Sequence, residues 1–130
     1  MKKNYRFLFL GLLTVILLCS ISTLANAKTL FTYQGWRIWD KPSVKTAYIS
    51  SGHNCTVKHT QTKNYGRNVQ FSVLVQRNTG WKWKTVGQKT FFNNVTGSKF
   101  TTYCSKGTYR LYFSAPTADQ SCDISGSFYY

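Results

Sequence analysis

Apolar and polar side chains alternate along residues 69–77, where Val69, Phe71, Val73 and Val75 occupy the odd positions. The residues between them are mostly polar, and the apolar ones are the β-branched and aromatic types that suit a pleated surface. A period of two residues is typical of a strand with one buried face. The pattern therefore predicts a half-buried β-strand over this stretch.

The next stretch alternates indole rings and lysines, as Trp81, Lys82, Trp83 and Lys84. In a strand this alternation places both rings on one face and both lysines on the other. The preceding Asn-Thr-Gly at 78–80 suits a short hairpin loop, because Gly accepts the positive φ that closes such a turn. The pattern predicts an antiparallel hairpin around an aromatic inner face. The alternative makes the segment part of a binding surface, with its lysines on a cationic face.

The same period of two recurs along the chain between clusters of turn-forming residues. Seven or eight short strands, spaced about 8–12 residues apart, predict an all-β fold. We predict an antiparallel β-sandwich, with a small β-barrel as the alternative. The apolar parity changes across Gly35, which predicts a bulge or kink in the first strand. The runs that predict strands lie at 28–39, 44–50, 53–62, 69–77, 81–86, 100–104, 108–115 and 122–130, and residues 89–92 either continue the strand at 81–86 or re-enter a sheet.

The N-terminal segment has the layout of a secretory signal peptide. A basic start precedes an apolar run over residues 7–18 and then Ala25-Asn26-Ala27, with small residues where a signal peptidase cuts. We predict cleavage after Ala27, so that residues 1–27 are the signal peptide and 28–130 a single secreted bacterial β domain. The alternative is an uncleaved membrane anchor, because the apolar run approaches the length of a bilayer span.

Three cysteines follow the predicted cleavage site, and an extracellular compartment permits disulfide bonds. An odd number leaves one thiol over in any pairing. Cys55 and Cys122 each open a strand-like run with the same apolar parity, so we predict a Cys55–Cys122 bond. The alternative is a Cys55–Cys104 bond.

The charge balance is strongly basic, with 17 Lys and Arg against 3 Asp and Glu. Three of the bases lie in the predicted signal peptide, so the mature chain would carry about +11. A small domain needs a net charge of only about 2–8 to stay soluble. Self-repulsion of this size is tolerable if the usual partner is anionic. We expect anionic envelope polymers or lipid headgroups as partners, with glycans as a further class, and we do not expect nucleic acid.

Aromatic residues make up 17% of the chain, which is more than a small β core can enclose. The surplus rings must be partly exposed, where they suit binding surfaces and membrane interfaces. Trp36 and Trp39 lie near the start of the mature chain and are candidates to stack on sugars or settle at a headgroup layer. Their alternative role is to cover one end of the sandwich. The predicted binding residues are Trp36, Trp39, Trp81, Lys82, Trp83 and Lys84.

Residue types that carry catalysis are scarce. Glycoside hydrolysis usually needs two facing carboxylates, and the chain has three Asp and no Glu. His53 and His59 would lie about 20 Å apart on one straight strand, which does not suit an acid–base pair for RNA cleavage. The spacing of these histidines around Cys55 matches no zinc-binding pattern. We therefore predict no catalytic residues, no metal and no cofactor.

The closing Ser127-Phe128-Tyr129-Tyr130, together with the signal peptide and the β-rich domain, resembles the lactococcin-like single-domain bacteriocins. Those are secreted β-sandwich proteins that act on the cell envelope of related bacteria, so the resemblance implies an antibacterial role. It covers a handful of residues, and the cysteines depart from it, so no site residue is carried over. We expect a secreted cationic protein that binds an anionic cell-envelope surface and acts against bacteria. The alternatives are a carbohydrate- or wall-polymer-binding module without killing activity, and a small secreted structural protein or nuclease.

Overall fold

The computed structural model describes residues 27–130, so the predicted signal peptide lies outside the described residues except for Ala27. Within this range the chain forms nine β-strands and one short 3₁₀ helix at Ala118–Gln120. None of the helical structure in this part of the chain is long and apolar enough to cross a membrane. The strands are β1 Thr29–Ile38, β2 Asp40–Pro42, β3 Ala47–Ile49, β4 His53–Lys63, β5 Gln70–Asn78, β6 Trp83–Phe92, β7 Val95–Cys104, β8 Gly107–Ser114 and β9 Cys122–Tyr129.

The strands form two antiparallel sheets, which confirms the predicted all-β sandwich. One sheet has the order β1-β9-β4-β7, and the other has the order β2-β8-β5-β6 with β3 also paired to β8. The chain passes between the sheets from β1 to β2 at one edge and from β6 to β7 at the other. The two sheets stay separate, as in a sandwich, and do not close into one barrel.

The core lies between the sheets and uses the alternating positions. Phe71, Val73 and Val75 of β5 are fully buried, as the pattern predicted, and they share the core with Leu111 of the neighbouring β8 and Phe128 of β9 in the facing sheet. Each such side chain contributes about 1.5–3 kcal/mol through burial of apolar surface. This cluster holds the two sheets together and fixes which residues of each strand face outward.

The β5–β6 hairpin has the opposite ring placement to the one predicted. Trp83 pairs with the exposed Asn78, so its ring lies on the outer face of the sheet. The reason is a bulge at Val86, where Val75 pairs with Gly87 but Gln76 pairs with Thr85. One extra residue exchanges the two faces of a strand. The predicted aromatic inner face is therefore wrong for both indoles: Trp83 lies on the outer face, and Trp81 lies in the loop and is 87% exposed.

The predicted bulge near Gly35 is present. The pairing register of β1 with β9 shifts between Gly35 and Ile38, and Arg37 between them has a left-handed backbone with φ of 51°. Beyond this kink the chain leaves the first sheet at Trp39, whose carbonyl accepts a hydrogen bond of 2.5 Å from the Ala115 amide. The bulge thus turns the chain from one sheet into the edge of the other.

The Cys55–Cys122 prediction is wrong. Cys122 pairs with Lys63 on β4, eight residues from Cys55, which corresponds to about 26 Å along a strand. A disulfide requires Cα atoms within about 7 Å. Cys104 is the neighbour of Cys55, because Cys55 pairs with Thr102 two residues earlier on β7. In residues 27–130 all three cysteines are buried free thiols.

Candidate functional site

A cleft of about 730 Å³ opens between the edges of the two sheets. One wall is formed by β1 and β9, and the other by β2 and the segment that leads from it to β3. The cleft lies at the edge where the chain crosses from β1 to β2, whereas β6 and β7 pack against each other at the opposite edge. Its lining residues are Thr32, Tyr33, Gln34, Gly35, Trp36, Ile38, Lys41, Pro42, Ser43, Val44, Lys45, Phe113, Ile124, Ser125 and Gly126.

The floor of the cleft depends on Gly126, which has no side chain. A Cβ atom at this position would collide with the Lys58 carbonyl and with the Tyr33 hydroxyl. The space that Gly126 leaves lets the Tyr33 ring reach across β9 to His59 on β4. Its ring also packs on Phe113 of the other sheet, with centroids 5.0 Å apart. Tyr33 therefore separates the cleft from the core.

A chain of buried hydrogen bonds runs inward from Tyr33. The Tyr33 hydroxyl lies 2.8 Å from His59 Nδ1, and His59 Nε2 lies 3.0 Å from Gln61 Oε1. Gln61 Nε2 donates to the Asn93 carbonyl at 2.5 Å. Since the amide of Gln61 presents its oxygen to the ring, Nε2 carries the proton and Nδ1 accepts from Tyr33. His59 is a neutral, fully satisfied core residue.

Burial controls the ionisation of both groups. It lowers the pKa of His59 to about 4, against the small opposing effect of its hydrogen bond to Gln61. It raises the pKa of the Tyr33 hydroxyl well above its usual range. Both side chains stay uncharged near neutral pH, so neither places a charge at the floor of the cleft.

The rim of the cleft combines exposed apolar groups and cations. We define the cleft rim as Trp36, Lys41, Val44 and Lys45. Trp36 is 68% exposed and Val44 92% exposed, and both lysines are exposed. Of the described residues that line the cleft, none is an Asp or a Glu. A site that combines apolar residues such as Ile38 and Phe113 with an indole and two lysines suits an amphiphile with an anionic head.

The carboxylates of the chain are all engaged elsewhere. Asp119 forms an ion pair with Arg67, the single side-chain ion pair within residues 27–130. Asp123 accepts hydrogen bonds from the Arg37 amide and from Asn64. Asp40 accepts one from the Tyr112 hydroxyl at 2.5 Å. The rim lysines thus lack an acidic partner in the described structure and can attract an external anion.

The six predicted binding residues fall into two groups. Trp36 and Trp39, which is 43% exposed, lie at the β1–β2 crossing. The other four lie at the β5–β6 hairpin. Their separation can be measured along β5. Asp40, next to Trp39, is level with Ser72 of β5, because both pair with the same residue of β8. Trp83 of the hairpin group pairs with Asn78 of β5. Six residues of β5 separate these levels, so the groups are about 20 Å apart.

The hairpin group has its own geometry. We call residues 79–82 the hairpin tip. Trp81 is 87% exposed, and Lys82 Nζ lies 5.6 Å from the centre of its ring. Trp83 is half-buried on the outer face, and the exposed Lys84 pairs with Arg77. The tip therefore presents a ring and a cation together, and none of its residues lines the cleft.

Sequence reasoning missed three of the rim residues. Lys41, Val44 and Lys45 lie in a segment that pattern analysis assigned to a turn and a weak strand. The signal that could have indicated them is an apolar Val between two lysines in a stretch rich in turn residues. Their proximity to Trp36 depends on the pairing of β2 with β8, which is a long-range contact.

The two histidines do not form a catalytic pair. Both lie on the continuous strand β4, where His53 stacks on Tyr130 with centroids 3.9 Å apart and His59 is buried. No group of three His, Cys, Asp or Glu side chains comes together as metal ligands anywhere in residues 27–130.

Comparisons with known proteins give no match: no family model fits the sequence, and no similar protein is found among curated proteins or solved structures. The resemblance to bacteriocins therefore stays a prediction.

Proposed function

We propose that this protein is secreted, binds an anionic bacterial cell-envelope surface through the cleft rim, and acts against bacteria. The observation that carries the proposal is the joint exposure of Trp36, Val44, Lys41 and Lys45 around a cleft without carboxylates. Rings and bases that share one surface are what docking to a headgroup layer requires.

Capture is electrostatic and draws on the whole charge excess. After cleavage at Ala27 the chain would hold 14 Lys and Arg against 3 acidic residues, and each acid already has a partner in the fold. Each base near an anionic leaflet contributes about 1 kcal/mol. Attraction of this kind weakens as salt shortens the Debye length.

Docking follows at the rim. The indole of Trp36 and the side chain of Val44 enter the interfacial layer, where amphipathic and small apolar groups are favoured. Lys41 and Lys45 bind the anionic head, and the apolar side chains of Ile38, Phe113 and Ile124 accept the part of the lipid closest to it. The envelope ligand of the proposal is thus an anionic lipid headgroup.

The test compares two equally simple tryptophan variants on vesicles. Binding of Trp36→Ala and of Trp81→Ala is measured on phosphatidylglycerol vesicles and on neutral phosphatidylcholine vesicles. Trp36→Ala should bind the anionic vesicles about tenfold more weakly, since tenfold corresponds to about 1.4 kcal/mol and a buried ring contributes at least that much. Trp81→Ala, which removes an exposed ring about 20 Å away, is the control and should lose much less. Equal losses, or equal binding to both kinds of vesicle, would contradict docking at the rim.

Antibacterial action has a separate test. Purified mature protein should inhibit growth of related bacterial strains, and Trp36→Ala should inhibit less than Trp81→Ala. Retention on envelopes without any inhibition would leave binding intact and refute the antibacterial part.

The second candidate is a carbohydrate- or wall-polymer-binding module without killing activity. The exposed ring of Trp81 favours it, because sugars stack on open aromatic faces. In that case Trp81→Ala or Trp36→Ala should abolish binding to wall polymer while Lys82→Ala has little effect. Binding to lipid vesicles should then be absent.

A further inference from the structure

The outer face of the β2-β8-β5-β6 sheet carries an arginine in contact with two aromatic rings. The guanidinium carbon of Arg110 lies 4.4 Å from the centre of the Trp83 ring and 5.6 Å from that of Tyr112. Arg110 and Tyr112 are outward residues of β8, and Trp83 opens β6 on the far side of β5. The arginine therefore reaches across β5 to the indole.

Neighbouring side chains hold this group in place. Arg110 Nε donates to Gln76 Oε1 at 2.9 Å, directly across the strand pair. The Gln76 amide in turn lies 3.4 Å from Thr85 Oγ1 on β6. Tyr112 is fixed by its hydrogen bond to Asp40. The guanidinium is thus fixed before any ligand arrives, which lowers the entropic cost of binding.

The two terminal nitrogens of the guanidinium are unused as donors. Only Nε takes part in a hydrogen bond within residues 27–130, so the two terminal nitrogens have no protein partner there. Both nitrogens reach solvent. Among the described side chains, Arg77 Nε is the one polar atom that is buried without a hydrogen-bond partner, and no atom of Arg110 is in that state. Partial burial lowers the pKa of Arg110, so the position costs some solvation of the charge. Arg110 is half-buried, has no carboxylate partner, and leaves both terminal nitrogens free to donate two parallel hydrogen bonds. Such an arginine is suited to binding a planar oxyanion.

Exposed surface around Arg110 suits a sugar ring. Tyr48, 59% exposed, pairs with Thr108 on the same outer face, and the outward positions Thr85 and Thr108 carry short hydroxyl side chains. Aromatic faces bind the apolar side of a pyranose by stacking. A carboxylate attached to such a ring would reach the terminal nitrogens while the ring rests beside them.

The geometry points to a second ligand site, at Arg110, Trp83 and Tyr112, for the uronic acid residues of an acidic polysaccharide. Arg110 binds the carboxylate in a bidentate manner, and the aromatic rings orient the sugar. The site is distinct from the cleft, since none of its three residues lines that cavity. It does not depend on lipid docking and can fail or hold independently of the proposed function.

The experiment titrates the full mature protein with trigalacturonate and with its methyl ester, using calorimetry. The acid should bind, and the ester, which keeps the rings but loses the charge, should bind at least tenfold more weakly. In two-dimensional NMR of the wild-type protein the acid should shift the Trp83 indole signal. Equal binding of acid and ester would overturn the proposal, as would shifts confined to residues of the cleft.

Matched variants distinguish binding by the paired guanidinium donors from binding by positive charge alone. Arg110→Lys keeps the charge but loses the planar pair of donors, so binding of the acid should fall about tenfold or more. Arg67→Lys makes the same change in the arginine paired to Asp119 and should bind normally. Unchanged binding by Arg110→Lys would refute the site. Tighter binding of a phosphorylated sugar, such as a mannose 6-phosphate oligomer, would refute the choice of a carboxylate.

Discussion

Acid should destabilise this protein in a pH range that one histidine controls. His59 is 0% exposed and neutral, held between Tyr33 and Gln61 beneath the cleft. Its pKa is lowered from 6.5 to about 4 by burial. Lowering the pH from 7 to 4 therefore favours the unfolded chain, in which the ring takes up a proton readily.

The size of the effect follows from the shift. The folded pKa is below the unfolded one, so the stabilisation is complete above about pH 6.5 and is lost as the pH falls toward 4. A difference of about 2.5 pH units, at about 1.4 kcal/mol per unit, gives a loss on the order of 3 kcal/mol. A domain of this size has about 5–15 kcal/mol in total, so the loss is measurable.

The assay is urea unfolding at pH 7, 6, 5 and 4, followed by fluorescence. With a slope of about 1.5 kcal/mol per molar urea, the midpoint should fall by about 2 M across this range. The pKa values of Asp119 and Asp123 are also lowered, by hydrogen bonds from Thr117 and from the Arg37 amide respectively. The stability that these two carboxylates contribute is lost only as the pH falls below the ordinary pKa of a carboxyl group. It therefore changes over a lower pH range than the effect of His59.

Two histidine variants isolate the cause. His59→Gln removes the titrating ring and should flatten the pH dependence between 6.5 and 4, while His53→Gln should leave it in place. A wild-type midpoint that does not move across this range would refute the reasoning, and so would a slope that persists in His59→Gln.

Two further predictions concern the cleft floor and the thiols. Gly126→Ala should destabilise the protein by about 1–3 kcal/mol, because the added methyl group collides with the backbone of β4 and with Tyr33. A thermal unfolding scan checks this, with Ser125→Ala as the control. An unchanged melting temperature of Gly126→Ala would contradict it. Oxidation of the partly unfolded protein by a small-molecule disulfide should join Cys55 to Cys104 by thiol–disulfide exchange and leave Cys122 unpaired. Cys104 lies diagonally across the β4–β7 pair from Cys55, whereas Cys122 pairs with Lys63 at the far end of β4. Peptide mapping checks the outcome. The bond would add about 4 kcal/mol in the loop-entropy account, and a mapped bond to Cys122 would contradict the strand register.

Strand identity and fold class were predictable because they depend on local alternation. The period of two along β5 gave the buried positions Phe71, Val73 and Val75 correctly, and the parity change at Gly35 gave the bulge of β1. The same reasoning placed Trp83 inside, since nothing in the alternation marks the extra residue at Val86 that exchanges the faces of β6.

The site was predictable only in part. Trp36 stood out by residue type, but its grouping with Lys41 and Lys45 depends on which edges the two sheets leave open. Arg110 was visible only as one base among many. Its contacts with Trp83 and Tyr112 require β8 and β6 to flank β5, and this strand order is set by long-range pairing.

The most direct test of docking at the cleft rim uses two variants of equal charge. Lys41→Ala/Lys45→Ala and Lys99→Ala/Lys106→Ala each remove two exposed lysines, the first pair from the rim and the second from elsewhere. Affinity for phosphatidylglycerol vesicles is measured for both at low salt. The rim variant should lose about 2 kcal/mol, or roughly 30-fold, and the control only a few-fold. Equal losses would show that net charge alone drives binding and would contradict a docking surface at the cleft.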